Sequence, residues 1–178
     1  MGAGKSSVGH ALGQRLNWLF EDLDNRIERR EGRSVAGIFK DAGEPGFREA
    51  EHRALCEVIE ELRAGSLRIV ALGGGAFIQP KNAALMKASG VPTVFLDAPV
   101  AELWERCCKQ AAASAPERPL LRSQQQFREL YEARRKAYLK ATIRIQTSGR
   151  SVQKIATEIA ERLALQPLGI RTEQGEVE

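Results

Sequence analysis

Long hydrophobic runs are absent from this sequence of 178 residues. A membrane-spanning helix needs roughly 18–20 consecutive apolar residues, and no stretch approaches that length, so an integral membrane protein is excluded. The N-terminal segment MGAGKSSVGH contains no apolar region of the kind that marks a secretory signal. The composition, 43% apolar and 28% charged residues, is that of an ordinary globular protein and excludes collagen-like or wholly disordered chains.

Cysteine and histidine are both scarce. The three cysteines, Cys56, Cys107 and Cys108, cannot all pair, and adjacent cysteines rarely form a disulfide with each other. This pattern favours reduced thiols and a cytoplasmic protein. The two histidines, His10 and His52, are not spaced as metal ligands, so we expect both on the surface.

The excess of one charge sign is also small. The chain carries 27 Lys and Arg against 23 Asp and Glu, a net charge of +4, without a long basic run or a basic stretch interleaved with aromatics. Nucleic-acid binding is therefore disfavoured relative to a small enzyme for anionic substrates, which needs only a few inward-facing arginines. We expect no nucleic-acid or membrane partner, and a monomer.

Predicted strands and helices alternate along the chain. Strand patterns cover residues 18–20, 67–72, 93–96 and 143–146, and helix patterns cover residues 6–16, 25–31, 34–39, 47–64, 81–89, 100–108, 127–139 and 152–163. The alternation predicts an α/β fold with a mostly parallel central sheet. We expect one domain over residues 1–165, a polar surface loop over 110–125 and a disordered tail over 166–178.

Gly2-Ala3-Gly4-Lys5-Ser6 is the strongest chemical signal and opens the first predicted helix. Gly-x-Gly-Lys-Ser is the second half of a P-loop, in which backbone N–H groups and a helix N-terminus surround phosphate oxygens. Lys5 would reach the β- and γ-phosphates, and the Ser6 hydroxyl would hold Mg²⁺. The alternative is a flexible glycine-rich N-terminus before an ordinary helix.

The complete P-loop motif has one more glycine, which would fall two positions before Met1, and a strand before it. In P-loop folds that strand lies inside the sheet, so we expect its neighbours to be left unpaired. We also expect Met1 to be an internal methionine of a longer product.

Two further groups follow predicted strands, where the ligands of open α/β sheets gather. Asp22 and Asp24 suit a metal and a hydroxyl, although a solvated acidic turn or a helix cap is equally compatible with them. The glycines at 73–75 permit close backbone approach to a ligand, or else form a sharp turn. Arg48, Arg118 and Arg134 are candidates for binding carboxylate or phosphate, although most isolated arginines are surface residues.

Taken together, the motifs resemble the shikimate kinase family, in order and over residues 1–163. The matching pieces are GAGKS (2–6), D-x-D (22–24), GRS…IF (32–39), GE-x-x-FR (43–48), GGG (73–75), RPLL (118–121) and R-x-x-x-Y (134–138). The resemblance implies a three-layer P-loop kinase fold that lacks its first strand here. It implies transfer of the ATP γ-phosphoryl group to the 3-hydroxyl of shikimate, for aromatic amino-acid synthesis. The alternatives are another small P-loop kinase, such as a gluconate kinase, and a truncated chain that binds ligand without turnover.

The resemblance also implies roles for individual residues. It makes Lys5, Asp24 and Arg118 the catalytic residues, with Lys5 on the transferred phosphate, Asp24 accepting the 3-hydroxyl proton and Arg118 closing with a lid at about 107–124. The implied ATP-binding residues are Gly2, Ala3, Gly4, Lys5, Ser6, Ser7, Arg106, Arg118 and Arg150. The implied Mg²⁺ ligands are Ser6 and, through water, Asp22. The implied shikimate-binding residues are Asp24, Arg48, Gly73, Gly74, Gly75 and Arg134, with a substrate-binding helical segment at about 25–64.

Overall fold

The computed structural model describes residues 2–113 and 123–169. The helices are α1 (Lys5–Leu16), α2 (Leu23–Glu31), α3 (Val35–Arg63), α4 (Pro80–Ser89), α5 (Val100–Ala113), α6 (Gln124–Tyr138) and α7 (Val152–Arg162). The strands are β1 (Leu19–Asp22), β2 (Arg68–Ala71), β3 (Val94–Asp97) and β4 (Ile143–Gln146), and a 3₁₀ turn covers Ala76–Ile78. The predicted α/β class is confirmed. Within the described ranges, no helix is long and apolar enough to cross a membrane.

The strands form two separate parallel pairs rather than one continuous sheet. β1 pairs with β2, from Leu19 opposite Arg68, and β3 pairs with β4, from Val94 opposite Ile143. In the part of the chain that the structure describes, β2 and β3 do not pair with each other. An apolar groove of about 450 Å³ lies between them, lined by all of β2 and most of β3. As expected, β2 and β3 each lack a paired strand, among the described residues, on the edge that faces the groove.

Three clusters of buried side chains form the core. One joins α1 and α7 to β3 and β4, another joins α2, α3 and α4, and the third lies between α5 and α6. Apolar residues at helical spacing account for these faces. Central members are Val8, Leu12, Ile145 and Ile159 in the first, Leu23, Ile27, Ala54 and Val58 in the second, and Leu103 and Phe127 in the third.

Helix α3 is sharply kinked within its length. Its N-terminus is capped by the Ser34 hydroxyl, which accepts a hydrogen bond from the Gly37 N–H. Gly43 then leaves helical geometry with φ 65° and ψ −172°, and Pro45 follows it. The predicted break between two helices is thus a kink at one glycine, and helical residues continue on both sides.

The region predicted as a polar loop is shorter than expected. Helix α5 continues to Ala113 instead of stopping at residue 108, and α6 begins at Gln124 rather than at residue 127. Alanine has the highest helix propensity, so the run at 111–113 extends α5. The remaining loop, 114–122, lies outside the described residues, as does most of the tail. At the described start of the tail, the Leu168 N–H donates to the carbonyl of Leu16.

Candidate active site

The predicted phosphate turn packs between α1 and α5. Gly4 is the N-terminal cap of α1 with φ 81°, and no side chain caps the N–H groups of the first turn. No acidic residue lies in that turn, so the uncapped donors and the helix dipole favour an anion. At Gly2, an added Cβ would lie 2.5 Å from the Leu103 carbonyl oxygen, so α5 lies directly against the turn. Ala3 packs into the same contact, whereas Ser7 is exposed.

Ser6 and Asp22 bring two oxygen ligands together beside this turn. The Ser6 hydroxyl lies 3.4 Å from Asp22 Oδ2 and donates to it. The other oxygen, Asp22 Oδ1, accepts a hydrogen bond from the Asp24 N–H at 3.1 Å and so caps α2. A hydroxyl and a carboxylate are hard donors of the kind that Mg²⁺ takes, so the residues fit this ion.

Asp24 lies in the first turn of α2 and is not an extension of β1. The strand ends at Asp22, which starts the helix as its cap, so the two carboxylates do not lie on one strand. Asp24 Oδ1 is buried and has no hydrogen-bond partner among the described residues. Burial raises the pKa of Asp24, the negative charge of Asp22 raises it further, and the positive charge of Lys5 opposes both.

The three glycines at 73–75 follow β2, and each lies against different polar side chains. The distance from an ideal Cβ added to each glycine shows how closely a side chain approaches the backbone there. The nearest atom of each neighbouring side chain lies 2.4 to 3.5 Å from that Cβ. The neighbours are Asp24 and Glu51 at Gly73, Arg134 and Tyr138 at Gly74, and Arg48 at Gly75. A side chain at any of the three positions would displace one of these groups. The Gly73–Gly75 turn therefore brings together two carboxylates and two arginines, among them Asp24, Arg48 and Arg134, which the family resemblance assigns to the substrate.

Arg48 is held by two glutamates on its own helix. Its Nη1 donates to Glu51 Oε2 at 2.9 Å, and its Nη2 donates to Glu44 Oε1 at 3.0 Å. Burial lowers the pKa of Arg48, but these hydrogen bonds and charges outweigh burial and raise it. Glu51 is 1% exposed, and its Oε1 has no partner. Burial also raises the pKa of Glu51, against the opposing effect of Arg48.

Glu51 was not among the sequence candidates. The signal for it is its spacing, three residues after Arg48 on the face of α3 that also buries Phe47, Ala50 and Ala54. A carboxylate on an apolar helix face needs a buried partner. Arg48 is that partner here.

Arg134 and Tyr138 reach the turn from one face of α6. The Tyr138 hydroxyl donates to the Gly74 carbonyl at 2.5 Å. Arg134 Nη1 lies 3.2 Å from an ideal Cβ at Gly74, and Arg134 Nε is buried without a hydrogen-bond partner. The R-x-x-x-Y spacing places both side chains on the same glycine because residues four apart are neighbours on a helix.

The other two predicted nucleotide-binding arginines in the described residues are Arg106, on α5, and Arg150, just after β4. Arg106 pairs with Glu102 and donates to Thr147 Oγ1 at 3.2 Å. Arg150 donates to the Gln146 carbonyl at 3.0 Å and pairs with Glu158, so its contacts are with β4 and α7. Arg118, expected in the lid, lies outside the described residues.

Comparisons with known proteins identify the family of the chain. The family model for shikimate kinase matches residues 1–164. Shikimate kinase of Persephonella marina is 38% identical over 164 residues, covering 92% of this chain and 94% of the relative. Shikimate kinase of Geobacter sulfurreducens is 42% identical over 163 residues, covering 90% of this chain and 84% of the relative.

Solved structures of the same enzyme also superpose on the chain. The shikimate kinase of Acinetobacter baumannii in complex with shikimate matches with a TM-score of 0.79 and 32% identity, covering 92% of this chain and 88% of that chain. The shikimate kinase of Aquifex aeolicus matches with a TM-score of 0.76 and 34% identity, covering 92% of both chains.

Proposed function

The chain belongs to the shikimate kinase family, and we propose that it transfers the γ-phosphoryl group of ATP to the 3-hydroxyl of shikimate. The products are shikimate 3-phosphate and ADP, in the synthesis of aromatic amino acids. One observation carries the proposal: the Gly73–Gly75 turn places two arginines and a buried carboxylate against one stretch of backbone. That set complements a small hydroxy acid. Lys5 links it to the phosphate turn, because the positive charge of Lys5 lowers the pKa of Asp24, against the larger effect of burial.

Arg48 and Arg134 bind the shikimate carboxylate in this proposal. Guanidinium groups match carboxylate oxygens in geometry and charge. Glu44 and Glu51 hold Arg48 in place from its own helix, and the unpartnered Nε of Arg134 remains available as a donor. The backbone at 73–75 supports the substrate ring, because the three glycines carry no side chains of their own.

The phosphate turn from Gly2 to Ser7 holds the phosphates of ATP. The uncapped N–H groups of α1 and the Lys5 ammonium neutralise phosphate charge, which is most of the work in phosphoryl transfer. Ser6 directly, and Asp22 through water, would hold Mg²⁺, which supplies further charge neutralisation when bound. We place Arg106 beside the adenine of ATP, and Arg150 near the loop that would contact the adenine.

Asp24 takes the proton of the reacting hydroxyl. Its Oδ1 is buried, has no partner and faces the Gly73–Gly75 turn, so it is free to accept from a substrate hydroxyl. The raised pKa of Asp24 makes the carboxylate a better proton acceptor than an exposed aspartate. Arg118 adds positive charge over the phosphates when the lid at about 107–124 closes and excludes water.

We further propose a single kinase domain over residues 1–165, with the substrate-binding helices at about 25–64. The chain acts as a cytoplasmic monomer, without nucleic-acid or membrane partners.

Substrate-titrated ADP release tests the proposal. Arg48→Ala is expected to raise the KM for shikimate roughly 10–100-fold, the range for a lost charged hydrogen bond, with little change in the KM for ATP. Arg53→Ala is the matched control, because Arg53 lies on the same helix but is 48% exposed and forms an ion pair with Glu31 near the surface. An equal effect of both substitutions would contradict the assignment of Arg48.

The same assay separates the two alternatives. Turnover of gluconate in place of shikimate would support the other small kinase. Shikimate and ATP that raise the melting temperature without any ADP release would support a chain that binds but does not transfer, because a ligand that binds the native state stabilises it.

A further inference from the structure

We infer that Tyr138 is a positioning residue that fixes the Gly73–Gly75 turn, and Arg134 beside it, for binding of the substrate acid. The inference deepens the proposed function and rests on it. Tyr138 is the last residue of α6, and its hydroxyl donates to the Gly74 carbonyl at 2.5 Å.

The turn needs an external anchor because its three glycines have no side chains of their own. Its internal hydrogen bonds are those of Ala76 N–H to the Gly73 carbonyl and Ile78 N–H to the Gly75 carbonyl. The carbonyl between them, at Gly74, is the one that Tyr138 holds. A hydrogen bond to this carbonyl fixes the orientation of the peptide that faces the substrate.

Two aromatic side chains pack near the ring of Tyr138 and restrict its movement. Phe95 of β3 lies 5.4 Å from it and Phe77 of the 3₁₀ turn lies 6.4 Å from it, between ring centroids. Burial raises the pKa of Tyr138, so its hydroxyl stays protonated and remains a donor throughout the neutral range. Arg134, one helical turn earlier, lies over the same glycine, so both side chains move with α6.

The middle of α6 is anchored in the same way, by Tyr131, but away from the glycines. The Tyr131 hydroxyl donates to Asp97 Oδ1 at 2.5 Å, and Arg135 donates to Asp97 Oδ2 at 3.2 Å. Tyr131 and Tyr138 are two helical turns apart, so α6 is bound both to the end of β3 and to the turn after β2. Tyr131 therefore supplies a matched control: the same group on the same helix, without contact to the Gly73–Gly75 turn.

Tyr138→Phe keeps the ring and removes only the hydroxyl. The KM for shikimate is expected to rise roughly 3–10-fold, the equilibrium factor of one neutral hydrogen bond, with kcat and the KM for ATP within about twofold of wild type. Tyr131→Phe is expected to lower the melting temperature and leave both KM values unchanged. An unchanged KM for shikimate in Tyr138→Phe, or equal changes in both variants, would overturn the inference.

Hydrogen exchange tests the positioning step without substrate. The amides of Ala76 and Ile78 should exchange faster in Tyr138→Phe than in wild type, and at the wild-type rate in Tyr131→Phe. Unchanged exchange in Tyr138→Phe would overturn the inference even in a chain without turnover. The proposed function has its own test, because it fails only if the wild-type chain shows no shikimate-dependent release of ADP.

Discussion

Asp24 connects stability with activity at the scale of single residues. Its carboxylate is buried with one oxygen unpartnered, and burial followed by the charge of Asp22 raises its pKa. The ionised form is therefore less favourable in the folded chain than in the unfolded chain. This cost is fully present above the folded-state pKa and disappears below the unfolded value of about 3.9.

Asp24→Asn is accordingly expected to raise the melting temperature at pH 7 while removing most turnover. Loss of a catalytic base costs about 10²–10⁴ in rate, and ATP binding should persist because Asp24 does not belong to the phosphate turn. Thermal unfolding of the wild type and the variant measures this gain. The difference between their melting temperatures should become smaller as the pH falls from 7 toward 4. Each kcal/mol corresponds to about 2–4 °C for a domain of this size. A variant that is less stable at pH 7, or that loses ATP affinity, contradicts this placement of Asp24.

Gly75 tests the close approach of Arg48. A methyl group there would lie 2.4 Å from Arg48 Nη1, so Gly75→Ala must displace the guanidinium. We expect the KM for shikimate to rise roughly 10–100-fold, as for loss of a charged hydrogen bond, with the KM for ATP unchanged. Gly169→Ala is the control, because an added Cβ at Gly169 meets nothing within 4 Å. Wild-type kinetics in Gly75→Ala would mean that Arg48 does not bind substrate.

At the scale of elements, the kink in α3 sets the direction of the helix that carries Arg48. Gly43 has φ 65° and ψ −172°, a conformation that is accessible essentially only to glycine. Gly43→Ala is expected to lower the free energy of unfolding by about 1–3 kcal/mol and to weaken shikimate binding. Denaturant unfolding and the KM for shikimate measure the two effects.

Gly37→Ala is the control on the same helix. Gly37 lies within regular helix, where alanine is favoured over glycine by about 0.5–1 kcal/mol. The nearest atom to its added Cβ, Ser34 Oγ, is 3.4 Å away. Destabilisation by Gly37→Ala as large as that by Gly43→Ala would show that the kink has no special role.

The proposed lid gives a second kinetic prediction at this scale. Arg118→Ala is expected to lower kcat by about 10²–10³-fold, the range for loss of one preorganised donor to the transferred phosphoryl group. Single-turnover and steady-state rates should fall together if the chemical step is affected. An unchanged kcat would remove Arg118 from the mechanism.

Element boundaries show what the sequence could and could not predict. Helix caps are local, so the helix patterns at 25–31 and 34–39 place the end of α2 and the start of α3 within one residue of the structure, where Gly32 and Ser34 are the caps. The grouping of the Gly73–Gly75 turn with Arg48 came from the order of motifs shared with the family, because the residue types alone left Arg48 open to being a surface arginine. The buried position of Glu51 was not predicted, because it depends on a partner that only the folded helix supplies.

At the scale of the whole molecule, the apolar groove between β2 and β3 separates the two sheets. Parallel strands are usually covered on both faces and paired at both edges, but in the described part of the chain no strand lies between the facing edges of β2 and β3. Apolar cavities accept small apolar ligands. The groove of about 450 Å³ is expected to bind such molecules saturably.

The two tryptophans allow this binding to be localised. Trp18 lines the groove, whereas Trp104 packs against Phe127 between α5 and α6. A short bromoalkane, which quenches tryptophan on contact, should quench Trp104→Phe saturably and leave Trp18→Phe little affected. Equal quenching of both variants would mean that the ligand does not select the groove.

The central claim is that this chain moves a phosphoryl group from ATP to shikimate. Phosphorus NMR of the chain with Mg-ATP and shikimate follows that group directly. The account predicts loss of the γ-phosphate signal with equal growth of ADP and one phosphomonoester, and no such product with gluconate. Release of inorganic phosphate alone, or ATP that remains intact, would contradict it.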